Sequence, residues 1–560
     1  MTGPSQSSLE ALQVLIVDCQ TTGASPALGS VLELGFGLAS ASDPELESTA
    51  EAHWIVPPEG ERISAQVRQL TGFHESVLET AISPEQAWQR LRVMTGDAAS
   101  APTAIHYARF ELSFLRDWAQ RFAPTSEFPF EAVCVHAIAC RLYPNLPRRN
   151  LRALAGFLGH GLHLERRSLG HVQATAFIWR KLVAELTARG IETWPELLAW
   201  LASAERPATP RKRRYPIAPA NYRNLPDQPG VYRFLRSNGD VLYVGKATSL
   251  KKRVSSHFTK QSGATERALE MLTQVSEIAF TATSSPLEAA LLETQTIKLI
   301  NPPYNVQLLR GERGVWFATS DFHGAAPEPD EQHRFGPLSS RYSLRALGAF
   351  VRLLEGASAS NALAAASVGA PTRFGPDEAT FAGGFALFSA KHLAVSAATH
   401  SPRRRALDTA QRLLDLTPEE PEATDEDAPK VWDAPRVCRH LERAISQAYR
   451  VLRRSSWLCL LAESSVAYRE PGAEVARYLQ LSAAELSESG DVGVGTTLPA
   501  PTRPPRLALQ TAFDAARYDS LRILTTELKR ILKGGGEVKV RLSRSRLLQG
   551  AALERLLSVV

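Results

Sequence analysis

Apolar positions follow two alternating rhythms over the first 200 residues. Unbroken runs at QVLIVDCQ (13–20), VLELGFGLAS (31–40) and HWIVPP (53–58) predict buried strands. SPEQAWQRLRVM (83–94) and RFELSFLRDWAQRF (109–122) space their apolar residues by three and four, as amphipathic helices do. Alternation of the two predicts an α/β layer structure. After WPELLAWLAS (194–203), the stretch ERPATPRKRRYPIAPA (205–220) breaks every period with prolines and a basic-aromatic cluster, which predicts a linker. A compact pattern follows. VYRFL (231–235) and VLYVG (241–245) flank Asn238-Gly239, a type I′ hairpin signal. Ser249 is placed to cap LKKRVSSHF (250–258), and SEIAFTAT (276–283) predicts a third strand. Ser285-Pro286-Leu287-Glu288 spells a capping box with proline at the first helical position, so LEAALLETQTIKLI (287–300) predicts a helix that NPPYN ends.

Beyond residue 315 the rhythm is helical at RYSLRALGAFVRLLEG (341–356) and SPRRRALDTAQRLLDL (401–416), then dissolves into the acidic TPEEPEATDEDAPK (417–430), a tether pattern. The last 126 residues mix helices (439–454, 517–532) with predicted strands WLCLLAES (457–464) and EVKVRL (537–542). At roughly 150 residues per domain, the 560 residues predict about three or four units. A 44% hydrophobic, 22% charged composition excludes a disordered or collagen-like chain. No apolar run reaches the roughly 20 residues that span a bilayer, and the first residues carry no leader pattern. Five scattered cysteines (Cys19, Cys134, Cys140, Cys438, Cys459) without a C-x-x-C pair argue against a disulfide framework or zinc site. The expectation is a reduced, cytoplasmic chain.

Net charge is only +6, but residues 206–314 hold 17 Lys/Arg against 8 Asp/Glu, leaving the rest at −3. This basic module predicts a polyanion partner. It also carries the most specific constellation: Gly230-Val231-Tyr232, ten residues, Tyr243-Val244-Gly245, then Lys246, Arg253, Glu293 and Asn305. Phosphodiester hydrolysis needs an activated water, cations for developing charge and a hard oxygen ligand for a metal, and these residue types supply each. The pattern resembles the GIY-YIG nucleases, in particular the nuclease module of the UvrC and Cho excinucleases. The resemblance implies one Mg²⁺ or Mn²⁺ on Glu293, water activation by Tyr232 or Tyr243, charge stabilisation by Arg253 and Lys246, and a catalytic Asn305. Gly245 is expected to leave room for a phosphate. Lys251, Lys252 and the linker cations Arg211, Lys212, Arg213 and Arg214 are expected on DNA.

The first segment resembles DEDDh 3′–5′ exonucleases, the family of the DNA polymerase III epsilon subunit, at VLIVDCQTTGASPALGSVLELGFG, AIHYARFELSFL and RRSLGHVQATAFIW. Its acidic set is damaged. Asp18 stands, Gln20 replaces the first-motif glutamate, Glu111 replaces an aspartate, and Arg166 and His171 stand where the family has histidine and aspartate. Paired metals need several converging carboxylates, and an arginine cannot serve as a base. The expectation is a fold kept for binding DNA or a partner. The alternatives are a working 3′–5′ exonuclease, or a non-catalytic scaffold for DNA and repair proteins.

RFGPLSSRYSLRALGAFVRLL (334–354) resembles the segment that follows the nuclease module in UvrC and Cho. A cysteine cluster comes next in those proteins, but no cysteine lies between Cys140 and Cys438, so no iron–sulfur cluster is expected. The resemblances imply a multidomain α/β protein. A ribonuclease H-like exonuclease domain (1–200) and a basic linker (201–222) precede a GIY-YIG domain (223–314). A helical region (315–415), an acidic linker (416–434) and an α+β domain (435–560) follow. DNA and a UvrB-like damage-recognition protein are the expected partners, with no membrane.

Overall fold

The computed structural model describes residues 7–44, 49–96, 100–161, 167–203, 213–259, 263–308, 314–357, 376–393, 400–416, 432–493, 497–501 and 504–560. They fall into two compact units, Met1–Ala282 with Pro302–Asn305, and Thr283–Asn301 with Val306–Val560.

The first unit opens with β1 (Val14–Thr21), β2 (Val31–Ala39), β3 (Glu51–Trp54), β4 (Ala101–Ile105) and β5 (Phe130–Cys134), in sheet order β3-β2-β1-β4-β5. β2 runs antiparallel to β1 and β3, whereas β4 is parallel to β1 and β5. This is the mixed α/β arrangement that the alternating pattern predicts. β1 is apolar on both faces because both are covered. Val14 and Ile16 join a core with Trp179 of the Ser168–Thr187 helix, while Leu15, Val17 and Cys19 face Trp88 and Phe114. Asp18 pairs across the sheet with Gly35. A Cβ on Gly35 would lie 2.8 Å from Ser168 Cβ, so glycine is what lets the Ser168–Thr187 helix settle on the sheet beside Asp18.

The same unit holds a second, antiparallel sheet of β6 (Gly230–Leu235), β7 (Val241–Ala247) and β8 (Glu277–Ala282), in order β7-β6-β8. The β6–β7 turn is not type I′. Only Gly239 has a positive φ, 89°, and Gly239 N–H bonds Arg236 O at 3.0 Å, which makes a type I turn closed by a left-handed glycine. Asn238 stays at negative φ, its side-chain oxygen accepting from Asp240 N–H at 3.0 Å. Ile217, Tyr222 and Leu225 join this sheet's core, so the downstream part of the proline-rich stretch is packed against it; residues 204–212 lie outside the described residues. The helix Glu266–Gln274 packs on Leu151–Phe157 of the exonuclease-like part. A side chain on Gly156 would collide with Gln274 Oε1 there, and buried Arg236 donates to that oxygen at 3.0 Å.

In the second unit, β9 (Trp316–Thr319), β10 (Ala325–Ala326) and β11 (His333–Leu338) form a small sheet within a stretch expected to be helical. WFAT and RFGPL are too short for a period to identify. β12 (Ser464–Arg469), β13 (Ala476–Ser482), β14 (Glu485–Val492), β15 (Glu537–Arg541) and β16 (Leu547–Gln549) form an antiparallel sheet ordered β14-β13-β12-β15-β16. WLCLLAES is not a strand. Its apolar residues complete the helix Ala434–Leu461, Trp457 and Leu458 both being buried, and β12 starts only at Ser464. A continuous apolar run fits a buried helix end as well as a strand. Most of the acidic tether (417–431) lies outside the described residues. No helix among the described residues is long and apolar enough to cross a membrane.

Candidate nuclease sites

The register of β6 on β7 sets Tyr232 opposite Gly245 and Phe234 opposite Tyr243, and strand alternation puts all four on one face. The tyrosine rings are 6.0 Å apart. A Cβ on Gly245 would sit 2.6 Å from both Tyr232 Cζ and its hydroxyl oxygen, so the space on the Cβ side of Gly245 is occupied by the Tyr232 ring. Ser249 caps the Leu250–Thr259 helix, accepting from Lys252 N–H at 3.2 Å. That helix carries Arg253 and, one turn on, His257. His257 Nε2 lies 2.8 Å from the Tyr232 hydroxyl. Burial, then Tyr243, pushes the Tyr232 phenol far above its ordinary range, and Arg253 opposes without cancelling. The tyrosine oxygens, Tyr232 foremost, hold Arg253 firmly charged. Burial, then Arg253, drives His257 down to about 4. The result is a neutral phenol bonded to a neutral imidazole, beside a fixed cation.

The remaining expected residues divide. Asn305, 7% exposed, accepts from Val244 N–H and donates to Val244 O, both at 3.0 Å, so its amide is spent holding the backbone between Tyr243 and Gly245. Lys246 alternates onto the face of β7 opposite Tyr243 and Gly245. Glu293 is half-buried on the helix Pro286–Ile300, which belongs to the second unit. Lys251, Lys252, Arg213 and Arg214 are exposed. Arg211, Lys212 and Arg166 lie outside the described residues. The sequence reading missed His257, although its four-residue spacing from Arg253 on a capped helix was there to be read.

The exonuclease-like part has a cleft of about 1220 Å³ lined by Asp18, Gln20, Tyr107, Glu111, His136 and His171 among others. His171 Nδ1 lies 3.2 Å from Asp18 Oδ2. Burial disfavours the charged imidazole, but Asp18 outweighs it and the His171 pKa is raised. Glu111, 5% exposed, accepts from Cys19 N–H at 2.6 Å. Burial and then Asp18 push its carboxyl well above the usual carboxylate range. Asp18 is therefore paired with His171, and burial beside Asp18 disfavours the charged form of Glu111. A further carboxylate, Glu33, is fully buried and bonds Arg167 Nε at 2.6 Å and Ser168 N–H at 2.9 Å, tying down the start of the Ser168–Thr187 helix. Among the described residues no group of three or more His, Cys, Asp or Glu side chains is arranged to hold a metal ion. Tyr107, at φ 65°, has its ring 4.6 Å from that of His136 at a 34° tilt and is 44% exposed.

The low His257 pKa has a testable sign. An unfolded imidazole takes its proton near 6.5, the folded one only near 4. Between those values the unfolded chain binds more protons, so His257 destabilises the fold as pH falls through that window. The ring of His257 should titrate near pH 4 by NMR, and His257→Gln should lose less melting temperature than wild type between pH 7 and 4.5. A titration midpoint near 6.5 would contradict the burial argument. In the same titration, Asp18→Asn should lower the pKa of His171 by removing the charge that raises it.

Comparison with known proteins identifies residues 228–306 as a UvrC-like GIY-YIG domain. A Mycobacterium tuberculosis protein named as a bifunctional exonuclease/endonuclease is 27% identical over 328 residues, covering 56% of this chain and 47% of that protein. The UvrABC system protein C of Nitrosomonas europaea is 54% identical over 124 residues, 20% of each chain. Among solved structures, the magnesium-bound N-terminal endonuclease domain of UvrC from Thermotoga maritima is 32% identical over 15% of this chain and 92% of its own, with a TM-score of 0.14. The chain spans less than half the length of these two curated relatives.

Proposed function

We propose that this chain, which carries a UvrC-like GIY-YIG domain at residues 228–306, is a DNA repair nuclease that incises DNA internally. The observation that carries the reading is the Tyr232 hydroxyl seated over Gly245, 2.8 Å from His257 Nε2, with Arg253 beside it. Tyr232 takes a proton from the attacking water as its own proton passes to neutral His257. The water oxygen bonds to phosphorus, the P–O bond to the leaving oxygen breaks, and that oxygen takes a proton from solvent. Arg253 stabilises the charge that builds on the non-bridging oxygens. Tyr243 orients the Tyr232 ring, and Asn305 fixes the backbone on which both depend. A single carboxylate with its remaining positions hydrated suits Mg²⁺ or Mn²⁺, and the GIY-YIG resemblance puts forward Glu293 as that carboxylate. Bound there, the metal supplies Lewis-acid stabilisation to the phosphoryl group.

The exonuclease-like cleft binds a nucleic acid strand without cutting it on this reading. Its two remaining acids are engaged by His171 and by the Cys19 N–H, while the Tyr107–His136 pair offers a face on which a base can stack. A UvrB-like protein is the proposed loading partner, following the UvrABC relatives. The test is a supercoiled plasmid with Mg²⁺ or Mn²⁺ and the full chain. Relaxed circles should form with wild type and Asp18→Asn and not with Glu293→Gln. Nicking abolished by Asp18→Asn alone would overturn the assignment.

A further inference from the structure

We infer that the C-terminal sheet and its long helix position Glu293, acting as a polar clamp on the helix Pro286–Ile300. The inference rests on the assignment of the metal to Glu293 and gives a role to the tail that sequence left unread. In a capping box, Glu288 would reach back to the Ser285 N–H. Only half of that box forms: Ser285 Oγ accepts from Glu288 N–H at 3.1 Å. The Glu288 carboxylate turns instead to β12 and β13, accepting from Arg477 Nε at 2.5 Å and from the Tyr468 hydroxyl at 3.2 Å. Tyr468, 2% exposed, also lies 2.8 Å from Ser285 Oγ. Burial holds its phenol above the ordinary range, so it keeps the proton it donates.

The other end of the helix has its own tether. Lys298 Nζ meets Asp519 Oδ2 of the Ala515–Lys533 helix at 2.8 Å, with side chains 12% and 9% exposed. Along the same helix Leu287 and Leu291 sit in one core with Leu521 and Leu524. Glu293 lies five residues from each tethered residue. At 3.6 residues per turn that is about 140° of rotation from both, so the anchors hold the helix on sides other than the one bearing Glu293. A rod pinned by buried polar contacts at both ends cannot roll or slide without breaking one of them. Tyr468, Arg477 and Asp519 thereby set where Glu293 points, as outer partners orient the ligands of metal sites generally.

The test uses the full chain with Arg477→Gln, Asp519→Asn, and the milder Tyr468→Phe in case a clamp variant fails to fold. Mn²⁺ binding to DNA-free protein is followed by EPR, and nicking is titrated with Mg²⁺. Arg477→Gln and Asp519→Asn should each weaken Mn²⁺ binding about tenfold and raise the Mg²⁺ requirement to match. Tyr468→Phe should shift both in the same direction. Lys298→Asp combined with Asp519→Lys should recover both. A merely structural role would lower melting temperature and active fraction but leave the metal dependence of the folded fraction at the wild-type value, and that result overturns the inference. Glu293→Gln separates the two claims. If it loses Mn²⁺ while the clamp variants keep it, the clamp alone is wrong. If it binds Mn²⁺ as wild type does, the metal assignment falls and the clamp with it.

Discussion

Tyr232→Phe and His257→Ala should each slow single-turnover nicking by about 10³-fold, and the double variant should be no slower than either alone. A positioned acid–base group contributes about 10²–10⁴, and groups that act as one unit are strongly non-additive when removed together. The Tyr232 phenol is too weakly acidic to hold a negative charge at neutral pH, so it can accept a proton from water only by giving its own away. His257 Nε2, at 2.8 Å, is the group placed to receive it. Without the hydroxyl, His257 has no link to the water. Without the imidazole, the phenol has nowhere to send its proton. Multiplicative losses in the double variant, or near wild-type nicking by Tyr232→Phe, would show that the two do not act as a relay. The low His257 pKa adds a second signature: no acidic limb from this residue should appear between pH 5 and 7, because it charges only near 4.

Gly245→Ala should cost about 10²-fold in nicking and lower the melting temperature, since overpacking a buried site costs about 1–3 kcal/mol, while leaving the DNA affinity of the folded protein close to wild type. The new methyl would stand 2.6 Å from the Tyr232 hydroxyl and 2.8 Å from Tyr243 Cε1, inside any tolerable contact. Tyr232 is fully buried in β6, so the clash must shift its ring within the core and disturb its 2.8 Å contact with His257. A displacement of about 1 Å at a reacting group is worth about 10² in rate. If Gly245 instead served as an opening for phosphate, DNA affinity would fall along with the rate; equal losses in both would restore that role.

The pattern of residues carried much of this architecture because local rules agreed with tertiary ones. β1 is apolar on both faces and folds as a covered strand. The tyrosines fall on one face because alternation is geometric. Errors came where a local signal had competition. Asn238-Gly239 gave way to a bond from the asparagine's own side chain. The second half of the Ser285 box lost to Arg477 and Tyr468, nearly 200 residues away. WLCLLAES finished a helix whose period its apolar run concealed. Gln20 and Glu111 were legible as departures from an acidic motif. That burial raises the pKa of Glu111 was not, since its place beside Asp18 and its bond from the Cys19 N–H, 92 positions away, are set by the tertiary fold. The contact of His171 with Asp18 likewise depends on a glycine in a third segment, Gly35, admitting the helix.

The central claim is that this chain cuts within a strand and not from its end. A closed circular duplex and a linear 3′-labelled single strand, incubated together with full-length protein and Mg²⁺, put it to the test directly. The account predicts that the circle is nicked and that the linear strand's 3′ label is not released as mononucleotides. A circle left closed while the 3′ label is released stepwise would contradict it.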